Sequence, residues 1–380
     1  MGVQTVMKVQ TRMGCKQLTR RIKQLTRRML NDKQLNFLVM VNMLVITVAA
    51  TLTQGAFVDL YNLQTMAGQV PELGLLAMGG MLAMIVGNGG IDLSGIALAN
   101  LAAVVAGTLT PGWVNAVDSP LLFTVVFVLC ALLVGLTGGL INGVLIAYAK
   151  LTPILCTLGT QLIFTGFAVV ISHGSGVKIG FIEPLSFIGD GLIANIPFCF
   201  ALFILLATLL GLWLRFSATG IRLYLLGTNL KAAQYIGIAQ QRLLVVIYTL
   251  SGTLAAIAGI IIAARSTSAT ADYGSSYVLI AILIAVMAGV RPEGGYGRMG
   301  CLLLSATALQ FLSSTFTFLD VSSFFRDCAW GALLLFFIIF SRINPLDFVK
   351  SLWRKIPRQC NPPCADERCS WGKSNEETPL

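Results

Sequence analysis

The sequence predicts an all-α polytopic membrane protein of about ten transmembrane helices, with both termini cytoplasmic. Three observations lead there. The chain is 56% hydrophobic and only 11% charged, with a mean hydropathy of +0.82; a soluble domain carries roughly 25% charged residues, so this much apolar surface needs lipid to cover it. Apolar runs recur at about the 20-residue length of a membrane-crossing helix. Those runs lack the period-two alternation of barrel strands, and backbone in lipid must pair within a helix or a closed barrel, so helices remain.

The elements follow in order. Residues 1–34 are basic and contain a repeat, KQLTRRI over 16–22 and KQLTRRM over 23–29, which sets Leu18, Ile22, Leu25 and Met29 on one helical stripe. That pattern suits a basic amphipathic helix lying on the inner membrane surface, or a solvated extension. The charged stretch is too long for a cleavable signal peptide, and no small-residue cleavage site follows the first span. A transmembrane domain then occupies 35–341. Its span cores fall at 35–57, 71–87, 91–110, 121–142, 152–172, 197–214, 243–264, 276–290, 299–318 and 322–341. The stretch 87–90 reads either as a loop between two spans or as a break in one re-entrant element. The segment 342–380 is polar, proline-bearing and expected to be disordered; Cys360, Cys364 and Cys369 lack a fourth ligand at zinc-site spacing.

Charge fixes the orientation. With the N-terminus inside, 23 of the 26 Lys and Arg fall on the cytoplasmic side, and only Lys178, Arg265 and Arg326 fall outside. Cytoplasmic loops carry such an excess. The formal net charge of +10 is accounted for by this asymmetry and by attraction to anionic lipid, not by nucleic acid.

The longest internal polar connection is 215–242. It carries Arg215, Arg222, Lys231 and Arg242, has no acidic residue, and contains a short helix from Leu230 to Tyr235 closed by Gly237. A rigid helix presented to the cytoplasm is a docking element. No G-x-x-x-x-G-K-[ST] phosphate loop exists in the chain, so ATP phosphates are not held here by that route. Gly295-Tyr-Gly297-Arg-Met-Gly300 fits G-x-G-x-x-G but joins two spans, outside the strand-to-helix setting that gives the motif meaning. His173 lies two residues from Ser175 on a glycine-rich loop, where the side chains of a nucleophile and base would not meet productively. Catalytic residues, metal ligands and bound cofactors are not expected on this chain.

Polar groups inside spans carry a cost and so carry information. Asp92, in a segment that also holds Asn88 and Ser94, must sit near an interface, in a wet cavity or against a partner; it can cap the next helix, line a pathway, or both. Gly135, Gly139 and Gly143, with Gly138 beside them, form a small-residue face for close helix packing, and Asn142 beside it suits an interhelix hydrogen bond. Thr157, Thr160 and Gln161 give the fifth span an uncharged polar face, suited to structural hydrogen bonds or to a neutral, hydroxyl-rich solute. Charged intramembrane pairs, the mark of many ion-coupled carriers, are scarce.

Taken together, GGIDLS at 89–94, GLING at 139–143, TPILCTLGT at 152–160 and GTNLKAAQYIGI at 227–238 resemble, in order, the motifs of the ribose-type permeases of ABC importers. The resemblance covers about 60–340. It implies a monosaccharide permease of the bacterial cytoplasmic (inner) membrane that pairs with a second permease subunit, either a second copy or a paralogue. It also implies an ATP-binding subunit carrying ATP and Mg, and a sugar-binding protein outside. The docking helix then falls at 227–238, with Gly227, Asn229, Ala232, Ala233, Gly237 and Ile238 as the coupling residues, and Asn88, Asp92, Ser94, Asn142, Thr157, Thr160 and Gln161 as pathway candidates. An ion-coupled carrier with Asp92 as its protonatable acid is the competing class.

Overall fold

A computed structural model describes residues 33–342. The N-terminal repeat and the three tail cysteines lie outside the described residues. Thirteen α-helices are present among the described residues. Every predicted span contains one. They are α1 (Lys33–Leu52), α2 (Leu60–Val86), α3 (Gly95–Trp113), α4 (Pro120–Ala147), α5 (Pro153–Ile171), α7 (Phe198–Phe216), α10 (Gln240–Ser266), α11 (Tyr277–Met287), α12 (Met299–Phe318) and α13 (Ser323–Arg342). Short helices α6 (Glu183–Asp190), α8 (Ala218–Thr228) and α9 (Leu230–Tyr235) lie in the connections. Eight of the described helices are long and apolar enough to cross a membrane, whereas α11 has only 11 residues. No barrel forms among the described residues; the strands are four two-residue pieces, β1 (Val177–Lys178), β2 (Leu192–Ile193), β3 (Ile196–Pro197) and β4 (Ser268–Ala269), paired β1 with β4 and β2 with β3.

Three boundaries differ from the sequence reading by five residues or more, one being the fourth span, which runs on to Ala147. The first span ends at Leu52, followed by a 3-10 turn at Ala56–Val58. The second begins at Leu60 rather than at 71, so its first turns include Asn62, Gln64 and Gln69. Hydropathy fails there because Asn62, Gln64, Thr65 and Gln69 dilute the apolar residues of the first turns, where Leu60, Tyr61 and Leu63 are nonetheless exposed.

Helix α10 is the axis of the bundle and packs against α2, α3 and α4. The α4–α10 crossing is close because it is glycine against glycine. A Cβ on Gly139 would lie 2.4 Å from the Tyr248 carbonyl oxygen, and one on Gly252 would lie 2.3 Å from that of Gly135. The small-residue face of the fourth span therefore meets α10, as its spacing implies, except that Gly138 turns to Leu98 of α3.

The connection between α2 and α3 re-enters the bundle. Gly87, Asn88 and Gly89 take positive φ values of 81°, 56° and 70°, and the chain then returns alongside α2, where a Cβ on Gly90 would stand 2.2 Å from the Ala83 carbonyl. Helix α3 consequently starts within the bundle, beside the middle of α10.

Candidate functional site

The helix expected to dock, α9, forms over Leu230–Tyr235, the bounds read from sequence. Asn229 caps α9 by accepting the Ala232 N–H at 3.0 Å. Gly237, at φ +77°, closes it: its N–H donates to the Gln234 carbonyl at 3.0 Å, and the Ile238 N–H donates to the Ala233 carbonyl at 3.1 Å, the paired bonds that end a helix at a left-handed glycine. Six residues would not hold a helix alone, so both caps and the anchorage matter. Ala233 is 1% exposed in the core and Ile238 packs against that core. The opposite stripe holds Ala232, Tyr235 and Ile236, with Tyr235 92% and Ile236 67% exposed. Of the two alanines named from sequence, Ala232 is available to a partner and Ala233 is an anchor.

Behind α9 three backbones meet at glycines. A Cβ on Gly227 would lie 2.0 Å from the Ile85 carbonyl, and one on Gly294 would lie 2.4 Å from the Gly87 Cα. The Gly295 N–H donates to the Ile85 carbonyl at 2.9 Å, and Tyr224 Oη donates to the Gly297 carbonyl at 2.8 Å. Burial pushes the Tyr224 phenol above its ordinary range, against the opposing influence of Arg298, so it remains a neutral donor. Gly294, Gly295 and Gly297 thus serve close packing, whereas Gly300 has nothing within 4 Å of a Cβ added there. The first three tie α8, the end of α2 and the re-entrant turn into one block. A cavity of about 830 Å³ opens beside it, lined by Asn88, Lys150, Gln234, Gln240 and Arg242 among others.

The re-entrant segment leads to the polar network. Asp92 Oδ1 accepts the Ser94 N–H at 3.0 Å and the Ser94 hydroxyl at 2.7 Å, while Oδ2 accepts the Ser251 hydroxyl at 2.6 Å. Asn142 Nδ2 donates to Ser94 Oγ at 2.8 Å. Ser251 lies about 16 Å along α10 from Gln240, at 1.5 Å per residue, so the carboxylate is well inside the bundle. Asp92 is both a turn-former before α3 and an interhelix tie, and Asn142 makes the interhelix bond its position suggests. Thr157 Oγ1 lies 3.1 Å from the Ile91 carbonyl and 2.9 Å from that of Pro153, and Thr160 Oγ1 donates to the Thr157 carbonyl at 3.2 Å; both are buried. Gln161 is half-buried, one turn beyond Thr157. Of the seven pathway candidates, Asn88 is exposed to the 830 Å³ cavity, whereas Asp92, Ser94 and Asn142 are joined with Ser251 in one hydrogen-bonded cluster, and Thr157 bonds to the backbone beside it at Ile91. Exposed His173 and Ser175 form no pair; Ser175 Oγ donates instead to the Ser172 carbonyl at 2.9 Å.

One feature escaped the sequence reading. Glu72 of α2, 4% exposed, is ion-paired with Arg265 at the far end of α10, and Tyr273 Oη donates to its other carboxylate oxygen at 3.3 Å. Arg265 Nε also reaches Asp190 at 3.3 Å. A second span drawn from 71 places Glu72 at an interface, where a carboxylate is cheap; the true start at Leu60 carries it into the bundle.

The comparisons with known proteins agree with this architecture. The family model described as "Branched-chain amino acid transport system / permease component" matches residues 62–341. The chain is 31% identical over 300 residues to the ribose import permease protein RbsC of Bacillus subtilis, covering 78% of this chain and 90% of that protein. It is 30% identical over 302 residues to RbsC of Escherichia coli, again over 78% and 90%. It is also 30% identical over 272 residues to the autoinducer 2 import system permease protein LsrD of Photorhabdus temperata, over 70% and 79%. No solved structure matches the chain significantly. With that family match over 62–341, from α2 to α13, the chain belongs to the monosaccharide-type permeases of ABC importers, multi-pass proteins of the bacterial inner membrane.

Proposed function

We propose that this chain is the membrane-spanning subunit of a binding-protein-dependent importer that carries a monosaccharide, a ribose-like pentose or a hexose, into the cell. ATP and Mg belong to a separate ATP-binding subunit, a sugar-binding protein delivers the solute from outside, and a second permease subunit completes the pore. The observation that carries the reading is α9: a helix capped at both ends, anchored by Ala233 and Ile238, with Tyr235 and Ile236 left bare. Exposed apolar side chains on one stripe of a water-facing helix mark a protein contact. Gly227, Asn229, Ala233, Gly237 and Ile238 hold that stripe in place, and Ala232 lies on it. The glycine block behind α9 gives its movement a stiff route to the re-entrant segment and Asp92.

The relatives' names include an autoinducer 2 importer, so a furanosyl signalling molecule is the second solute class, moved by the same mechanism. The test pairs the chain with its ATP-binding subunit and binding protein in liposomes. Sugar uptake is expected to stop when ATP hydrolysis is blocked and to continue when ion gradients are collapsed. Tyr235→Asp is expected to cut uptake at least tenfold while the chain elutes from size exclusion as the parent does. Uptake that follows the ion gradient and ignores ATP would overturn the reading.

A further inference from the structure

At the end of the bundle opposite α9 lies a second cavity, of about 530 Å³. It is bounded by α2, the far end of α10, the 273–277 segment, α12 and the start of α13. A site for a small molecule typically measures roughly 300–1,000 Å³. Its walls differ from the rest of the bundle. Four charged residues line it, Glu72, Arg265, Arg326 and Asp327, and their formal charges cancel. Gln310 Nε2 donates to Gln69 Oε1 at 2.5 Å, which leaves the Gln310 oxygen and the Gln69 amide hydrogens free for other bonds. Tyr273 and Tyr277 stand edge to face with centroids 5.7 Å apart, and Trp330, 4% exposed, supplies another aromatic wall. The Nε atom of Arg326 is buried without a hydrogen-bond partner among the described residues.

Such a set is hard to explain as packing. Buried charges in a membrane bundle are costly, and replacing a buried ion pair by apolar residues is often neutral or stabilising. A buried guanidinium donor without an acceptor adds a further cost. A ligand that brings its own acceptors and donors relieves both. The balanced charge disfavours an ion, and no cluster of three or more His, Cys, Asp or Glu suited to a metal occurs among the described residues. Carboxylate, guanidinium and amide groups facing inward between aromatic walls match a neutral ring whose edge is hydroxyl and whose faces are C–H.

We infer that the cavity between Glu72, Gln310 and Arg326 is a binding site, within a single permease subunit, for a neutral polyhydroxylated ring such as a monosaccharide. Glu72 accepts ligand hydroxyls with the lone pairs that Arg265 and Tyr273 leave free, Arg326 Nε donates to a ligand oxygen, and Trp330 covers a ring face. The choice of solute class rests on the import reading above.

Trp330 makes the site observable. The full-length chain, purified without partners, is titrated with D-ribose, D-xylose and D-galactose while tryptophan fluorescence is followed. At least one sugar is expected to give a saturable change that Trp330→Phe removes. Glu72→Gln and Arg326→Gln are expected to raise the Kd at least about tenfold. Arg326→Gln guards against misfolding, since the Nε it removes has no partner to lose. Absence of a saturable signal with all three sugars, or an unchanged Kd in both variants, overturns the site. Uptake by the complete assembly keeps the two readings apart. ATP-driven uptake with an unchanged KM in both variants overturns the cavity and leaves the importer standing. Sugar binding weakened by the variants, beside uptake that ignores ATP, supports the cavity and overturns the importer.

Discussion

Asp92 is held by hydroxyls and one backbone N–H, and no Lys or Arg is ion-paired with it among the described residues. Its role is therefore to fasten the start of α3 to α10, and through Ser94 to Asn142 of α4. Hydrogen bonds to a charged group are worth roughly 1.5–3 kcal/mol each, and a stranded buried hydroxyl adds to the loss. Asp92→Ala is expected to lower stability by about 3 kcal/mol, and Asp92→Asn, which keeps an acceptor for Ser94, by less. Thermal unfolding of the purified variants checks the order; equal stability of the alanine variant and the parent would remove the tie. Glu72 is the contrasting case. It has a cationic partner and a cavity in front of it, so the residue best placed to act on a solute is the one that the sequence reading passed over.

At the scale of elements, glycine decides where helices touch. Gly139 of α4 lies against the α10 backbone, and a Cβ there would be 2.4 Å from the Tyr248 carbonyl. Gly159 of α5 has nothing within 4 Å of the equivalent position. Gly139→Ala is expected to destabilise by about 1–3 kcal/mol through forced separation of the helices. Gly159→Ala is expected to be neutral or stabilising by up to about 1 kcal/mol through helix propensity. Melting curves for the two proteins, identical in composition change, separate contact from propensity. Helix α9 follows the same logic in water: Asn229 and Gly237 supply the ends, and Ala233 is small enough to lie against the core.

Across the whole molecule, the two cavities lie at opposite ends of α10. Lys and Arg crowd the α9 end, while Lys178, Arg265 and Arg326 lie at the other. By the excess of Lys and Arg on cytoplasmic loops, this asymmetry predicts a cytoplasmic α9. A membrane-impermeant maleimide applied to intact cells is expected to label Lys178→Cys above the parent's background. Thr228→Cys is expected to be labelled only after permeabilisation. The reverse pattern would invert the topology.

The helices of the spans and the extent of α9, closed by Gly237, were legible because they are local. Apolar length and a Gly behind a short helix act within a few residues. The glycine face of α4 was legible too, since its spacing of four is a property of one helix. What that face would meet was not, because Gly252 lies more than a hundred residues away. Nor did hydropathy show that α2 begins at Leu60: Asn62, Gln64, Thr65 and Gln69 interrupt the apolar residues of its first turns, so the run carries no mark of the start. The sequence by itself determined a helical membrane bundle with a basic, capped helix on one side. Only the tertiary structure decided that Ala233 faces inward and Tyr235 outward, that Asp92 is a tie, and that Glu72, Gln310 and Arg326 share one cavity. Those outcomes depend on which distant faces close together, and packing settles that through contacts no single stretch of chain contains.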